Sequence, residues 1–256
     1  MSPDLSPDLD HEPVRTLPPL DARIAELATA PGRTWGVRDA VLGLLAVPAS
    51  LLLPGLLLAV VDVPGTVLVG LASLLLCGFA ALAVRRPARQ SGGVRRALGF
   101  GLPRWSDAGT VLLWTVLLFL LQALASVLVG LLVPALRGVA ADNTSFLVGI
   151  PVVELVLIAV AAVVVAPVVE ELLFRGLLLQ GLMLRIGFWP AAVLSSVLFG
   201  ALHMASLDAG GAALAVATGV MGLGLCVLAR RTGRLGPGIG VHALRNALAL
   251  TLVALA

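Results

Sequence analysis

Three observations predict an all-α, polytopic bundle of membrane-spanning helices for this sequence. Hydrophobic residues make up 59% of the chain and charged residues only 12%, about half the ~25% of a soluble domain. Mean hydropathy is +1.08. The apolar residues also fall in runs of roughly 20, the length a helix needs to cross the hydrocarbon core of a bilayer. Such runs are too long for barrel strands, which alternate over about ten residues.

The chain opens on a polar cytoplasmic tail, residues 1–38, with Asp4, Asp8, Asp10, Glu12 and several prolines ahead of Arg33 and Arg38. This composition predicts a mobile start, and it lacks the basic, apolar and small-residue order of a signal peptide. Residues 21–30 have the length of a short surface helix. Residues 39–256 form the transmembrane bundle, with spans expected at about 40–62, 65–84, 109–136, 146–169, 188–207, 212–229 and 236–255. Pro167 removes a backbone donor and is expected to bend or interrupt the fourth helix. The segment 170–184 is then a tilted extension, an interfacial helix or a re-entrant one. Seven spans is the preferred count, and eight results if that segment crosses by itself.

Arginine placement orients the bundle. Arg85, Arg86, Arg89, Arg95, Arg96 and Arg104 lie in one connection, Arg175 and Arg185 follow the fourth span, and Arg230, Arg231 and Arg234 follow the sixth. The opposite connections hold Asp62, Arg137 with Asp142, and Asp208. The positive-inside rule places the amino terminus in the cytoplasm and Glu170 near the cytoplasmic face. All 17 basic residues are arginine, which reads as a genome-wide codon bias and not as a nucleic-acid surface; a bacterial plasma membrane is the expected location. Cys77 and Cys226 sit in apolar runs and read as small buried residues. Trp35, Trp105 and Trp189 suit interfacial anchors, and Trp114 suits packing. Asn143-Thr144-Ser145 fits a glycosylation acceptor, a pattern too short to carry weight.

Polar residues inside apolar runs point to function, because each costs about 2.5–3.5 kcal/mol to insert. Glu170 and Glu171 are adjacent, and Glu171 shares a helix face with Arg175, four residues on. Glu170 points about 100° away and has no such partner in its helix. Phe199 and His203 are four apart in the fifth span, and His242 and Asn246 are four apart in the seventh. All are expected to face the bundle interior. Glu154 falls about 160° around the helix from Glu170 and is expected to meet water or another helix near the outer face. A carboxylate beside two imidazoles suits proton abstraction from water, and His and Asn donors suit an oxyanion. Glu170, His203 and His242 also make a zinc donor set with an open fourth position. A His-Glu-x-x-His helix and a Gly-x-Ser-x-Gly elbow are both absent.

The ordered trio Glu-Glu-x-x-x-Arg, Phe-x-x-x-His and His-x-x-x-Asn, within residues 145–250, resembles the CPBP family of CAAX proteases and bacteriocin-processing enzymes. The resemblance implies an intramembrane endopeptidase acting on membrane-associated peptides or proteins. It implies that Glu170 and His203 activate water, that His242 and Asn246 form the oxyanion site, and that Glu171, Arg175 and Phe199 give structural support. Zinc on Glu170, His203 and His242 and a metal-independent glutamate mechanism are both compatible with it. Two other classes compete: a non-catalytic immunity or interaction protein on the same scaffold, and a proton-coupled transporter. Transporters more often show inverted repeats with broken helices in both halves, whereas the polar residues here concentrate after residue 150. Membrane lipid and a peptide substrate are the expected partners, and nucleic acid is not.

Overall fold

The computed structural model describes residues 18–30, 35–58, 60–61, 64–139, 147, 149–204 and 206–255, and among these it holds, besides two short 3-10 turns at Trp105–Asp107 and Pro134–Leu136, nine longer helices. They are α1 (Leu20–Thr29), α2 (Val37–Leu58), α3 (Gly65–Ser91), α4 (Val94–Leu98), α5 (Ala108–Leu132), α6 (Val152–Ile186), α7 (Phe188–Leu202), α8 (Ala209–Thr232) and α9 (Gly236–Ala254). Among the described residues there is no strand. Asp4, Asp8, Asp10, Glu12, Arg33, Asp62, Asp142 and the Asn143-Thr144-Ser145 pattern lie outside the described residues.

The helices α2, α3, α5, α6 and α8 are long and apolar enough to cross a membrane, and α7 is a shorter apolar helix. Five helices of that kind, with the shorter α7 and with α9 beside them, make a polytopic helical bundle. On α5 the side chains of Leu112, Leu113, Leu120, Leu124 and Leu131 are exposed. So continuous an apolar surface is what hydrocarbon covers, and the protein is an integral membrane protein. Cys226 is buried, but Cys77 is exposed on α3, contrary to expectation. Trp105 and Trp189 are exposed as interfacial anchors should be, and Trp114 is packed; Trp35, by contrast, is buried in the core.

The fourth span departs most from expectation. It is one helix of 35 residues, so Pro167 does not interrupt it and the segment 170–184 is a continuation of the same helix. The backbone is π-wound over Ala161–Val165 and again over Leu172–Leu178. In that register the Ala166 N–H bonds to the Ala161 carbonyl, five residues back. Pro167 has no N–H to offer the next carbonyl, Ala162. The proline therefore frees one acceptor inside a continuous helix, where single π-turns tend to mark functional sites.

This continuity corrects the depth of Glu170, which lies near the middle of α6 and not at its end. Gly187, at φ +73°, makes the turn into α7, a conformation an L side chain rarely adopts. Glu170 is sixteen residues before Ile186 and His203 is fifteen after Phe188, so the antiparallel helices bring the two level. The helix α7 ends at Leu202, short of the expected 207, and His203 caps it. Backbone contact follows at Gly200, where a Cβ would strike the Ala215 carbonyl of α8. Asp208 then caps α8 by accepting from the Gly211 N–H at 2.9 Å. The Ser206 hydroxyl, and after it that N–H, hold the Asp208 carboxyl below its ordinary range. Glu154 meets α3, with Oε2 2.7 Å from the position a Cβ would take on Gly65.

The end of the polar tail is built into the bundle. Leu20, Ile24 and Leu27 of α1 are buried, and Asp21 pairs with Arg230 at 3.0 Å. Arg23 is buried and donates from Nη1 to the Gly233 carbonyl at 2.7 Å, at the turn between α8 and α9; burial brings its guanidinium down to about 10. Asp107 and Arg234 pair at 3.0 Å, and Leu235 donates to Gly99 O at 2.9 Å. The arginine-rich connections thus meet at one end of the molecule. Replacing Arg23 by alanine strands a buried carbonyl and is expected to lower stability by about 1–3 kcal/mol, read as a fall in Tm in detergent. An unchanged Tm would show that α1 contributes no such anchor.

Candidate active site

Mid-way along α6, the two adjacent glutamates diverge as their 100° separation requires. Glu171 turns inward and is fully buried with Arg175. Arg175 donates from Nη1 to Glu171 Oε1 at 2.9 Å and from Nη2 to the Gly222 carbonyl of α8 at 3.1 Å. Its guanidinium also lies 4.4 Å from the centroid of the Phe199 ring. A buried guanidinium needs this many partners, because pairing alone does not repay desolvation.

Phe199 is the hub on α7. It is fully buried, with its ring edge-on to Phe174 at 4.9 Å and 4.4 Å from the His203 ring. Its carbonyl lies 2.7 Å from His203 Nδ1. A carbonyl only accepts, so His203 Nδ1 carries a proton and Nε2 is the nitrogen turned toward Glu170. Across the cluster, His242 of α9 is buried and its Nδ1 lies 3.4 Å from Glu171 Oε1. Its Nε2 likewise faces Glu170.

Glu170 Oε2 therefore sits between two imidazole nitrogens, 3.7 Å from His203 Nε2 and 3.8 Å from His242 Nε2. That oxygen is buried and has no hydrogen-bond partner among the described residues. Separations just beyond direct contact between polar groups are those a bridging water closes. His203 and Glu170 remain partly open, at 23% and 14% exposure, so the cluster is reachable from outside the bundle.

Asn246 is one helical turn beyond His242, and its Nδ2 donates to the Ala162 carbonyl at 2.7 Å. This is the acceptor that Pro167 leaves free. One of the two amide protons is thus spent on holding α9 against α6, and the other remains available. Gly238 permits the same close approach one turn before His242, since a Cβ there would lie 3.0 Å from Glu171 Oε2.

The structure brings together six of the residues singled out from the sequence, Glu170, Glu171, Arg175, Phe199, His203 and His242, while Asn246 contacts α6 at Ala162. It also shows features the motifs do not. Glu171 serves His242 as well as Arg175, and Pro167 acts through Ala162 on Asn246. Arg245 lies in α9 between His242 and Asn246. It bonds to Gln122 Oε1 and to Met221 sulfur at 3.2 Å, with its guanidinium 3.9 Å from the Phe119 centroid. An arginine inside an apolar span was the sequence signal for that last contact set.

Glu170, His203 and His242 are adjacent, yet among the described residues no group of three His, Cys, Asp or Glu side chains is arranged to hold a metal ion. Proton transfer at Glu170 Oε2 is one chemistry this arrangement can perform, with two imidazole nitrogens beside it.

No curated protein and no solved structure matches the chain. A family model does. Residues 152–248, which run from the first turn of α6 into α9 and contain every member of this cluster, match the type II CAAX prenyl endopeptidase Rce1-like family, in agreement with the CPBP resemblance, and that family's activity is CAAX-type intramembrane endopeptidase cleavage.

Proposed function

We propose that this protein is an intramembrane endopeptidase that cleaves membrane-associated peptides or proteins at the Glu170 cluster. The observation that carries the proposal is the unpartnered Glu170 Oε2 between two imidazole Nε2 atoms. His203 Nε2 and Glu170 Oε2 are both acceptors, so a water between them gives a proton to each and aims a lone pair outward. Glu170 takes the proton as the water oxygen attacks the peptide carbonyl carbon. The oxyanion accepts from the second Asn246 amide proton and from His242 Nε2. His242 donates there when both ring nitrogens are protonated, with Nδ1–H held by Glu171. Collapse breaks the C–N bond, and the proton on Glu170 passes to the departing amine. Glu171, Arg175 and Phe199 position these groups and do not touch substrate.

The test is release of the carboxyl-terminal fragment from a lipidated CAAX-type peptide by the purified protein in nanodiscs, read by mass spectrometry. Cleavage by the parent protein is expected. No cleavage of this or any membrane-anchored peptide would overturn the reading. A chelator in the same assay is expected to leave the rate unchanged. Loss of cleavage on chelation, restored by zinc, would replace direct water activation with a metal-bound one.

A further inference from the structure

A second polar cavity lies away from the Glu170 cluster. It encloses about 200 Å³ between the first turn of α2 and the last turn of α6, lined by Trp35, Gly36, Arg38, Gly181, Leu184 and Arg185. Gly181 makes the crossing possible, because a Cβ there would lie 3.2 Å from the Gly36 carbonyl carbon. Two arginines on different helices, Arg38 and Arg185, both exposed, are among its lining residues. Among the described residues neither Arg38 nor Arg185 has a carboxylate within 4.0 Å. The nearest acid in sequence, Asp39, is committed elsewhere: it accepts from the Gly36 N–H at 2.9 Å and pairs with Arg86 at 3.5 Å. Among the described residues no carboxylate balances these two exposed charges, and an anion between them would lower their mutual repulsion.

The surroundings narrow the choice of anion. Exposed apolar surface begins within a turn of each arginine, at Val41, Leu42 and Leu45 on α2, at Ile186 where α6 ends and at Trp189 in the first turn of α7. An anion here sits at the boundary between charged rim and hydrocarbon. The geometry points to a headgroup site for an anionic phospholipid, with its phosphate between Arg38 and Arg185 and its acyl chains along the exposed leucines of α2. Guanidinium forks match phosphate oxygens in pairs, and the cavity has room for one phosphate. The site is independent of the proposed peptidase chemistry, so its test does not use cleavage.

The experiment is native mass spectrometry of the full chain released from nanodiscs of mixed phosphatidylglycerol and phosphatidylcholine. One retained phosphatidylglycerol is expected, preferred over phosphatidylcholine. The preference should fall roughly fivefold for each guanidinium removed, in Arg38→Gln, in Arg185→Gln and multiplicatively in the double variant. Arg38→Lys with Arg185→Lys keeps both charges but not the paired forks and should retain more of the preference than the double glutamine variant, which separates loss of charge from loss of fold. Parental preference in the folded Arg185→Gln protein overturns the site. So does displacement of the lipid by millimolar inorganic phosphate, since that outcome assigns the cavity to a soluble anion.

Discussion

Glutamine at position 170 is expected to lower peptide cleavage by roughly 10²–10⁴-fold, the scale of lost acid–base catalysis. The replacement keeps the size and the hydrogen-bonding capacity of the side chain and removes only the basic oxygen. Glu170 has no ion pair with an arginine, and its Oε2 makes no hydrogen bond among the described residues. Folding and membrane insertion therefore have little to lose, and Tm should stay near the parental value. The decisive comparison is kcat with Tm for Glu170→Gln beside the parent. A parental kcat would remove Glu170 from the chemistry and return the cluster to a binding or transport role.

The second large effect is on stability. Arg175→Ala is expected to cost about 3–5 kcal/mol, because it leaves Glu171 as an uncompensated buried charge. The Glu171–Arg175 pair is fully buried, so solvent does not screen the loss. It also withdraws the donor to the Gly222 carbonyl and the cation over Phe199, loosening α8 and α7 together. Changing both members, Glu171→Gln with Arg175→Met, removes the stranded charge and should recover a large part of that stability, as buried pairs commonly do when replaced whole. Folded yield and Tm of these two variants beside the parent decide the matter. A stable Arg175→Ala protein would show that the pair does not hold these helices.

These two glutamates show how far local pattern reaches. Adjacency alone, through the 100° step of a helix, separates an arginine-paired Glu171 from a Glu170 without such a partner, and the structure has that division. What adjacency does not carry is the second use of Glu171. Its Oε1 also faces His242 Nδ1 at 3.4 Å, a contact across 71 residues that no spacing rule encodes. Pro167 is a parallel case. Its missing N–H is a local fact, but whether a helix breaks there depends on what takes the freed carbonyl. Here Asn246 of α9 does so at 2.7 Å, and α6 runs on to Ile186.

The sequence by itself determined the class of the molecule and the identity of the polar set. Hydropathy over some twenty residues decides what enters a membrane, and the cost of polar groups there singles out Glu170, His203, His242 and Asn246. It also located the arginine-rich connections that gather at one end of the bundle. Only the tertiary structure decided depth and orientation. The span limits read from hydropathy put Glu170 at a helix end and His203 deep within another. A continuous α6, the Gly187 turn and a short α7 bring the two level. The face each imidazole nitrogen presents was settled the same way, by the Phe199 carbonyl and the Glu171 carboxylate. Hydropathy and helical spacing are properties of neighbours in the chain. Depth, hydrogen-bond direction and the fate of an orphaned carbonyl depend on which distant helix packs alongside.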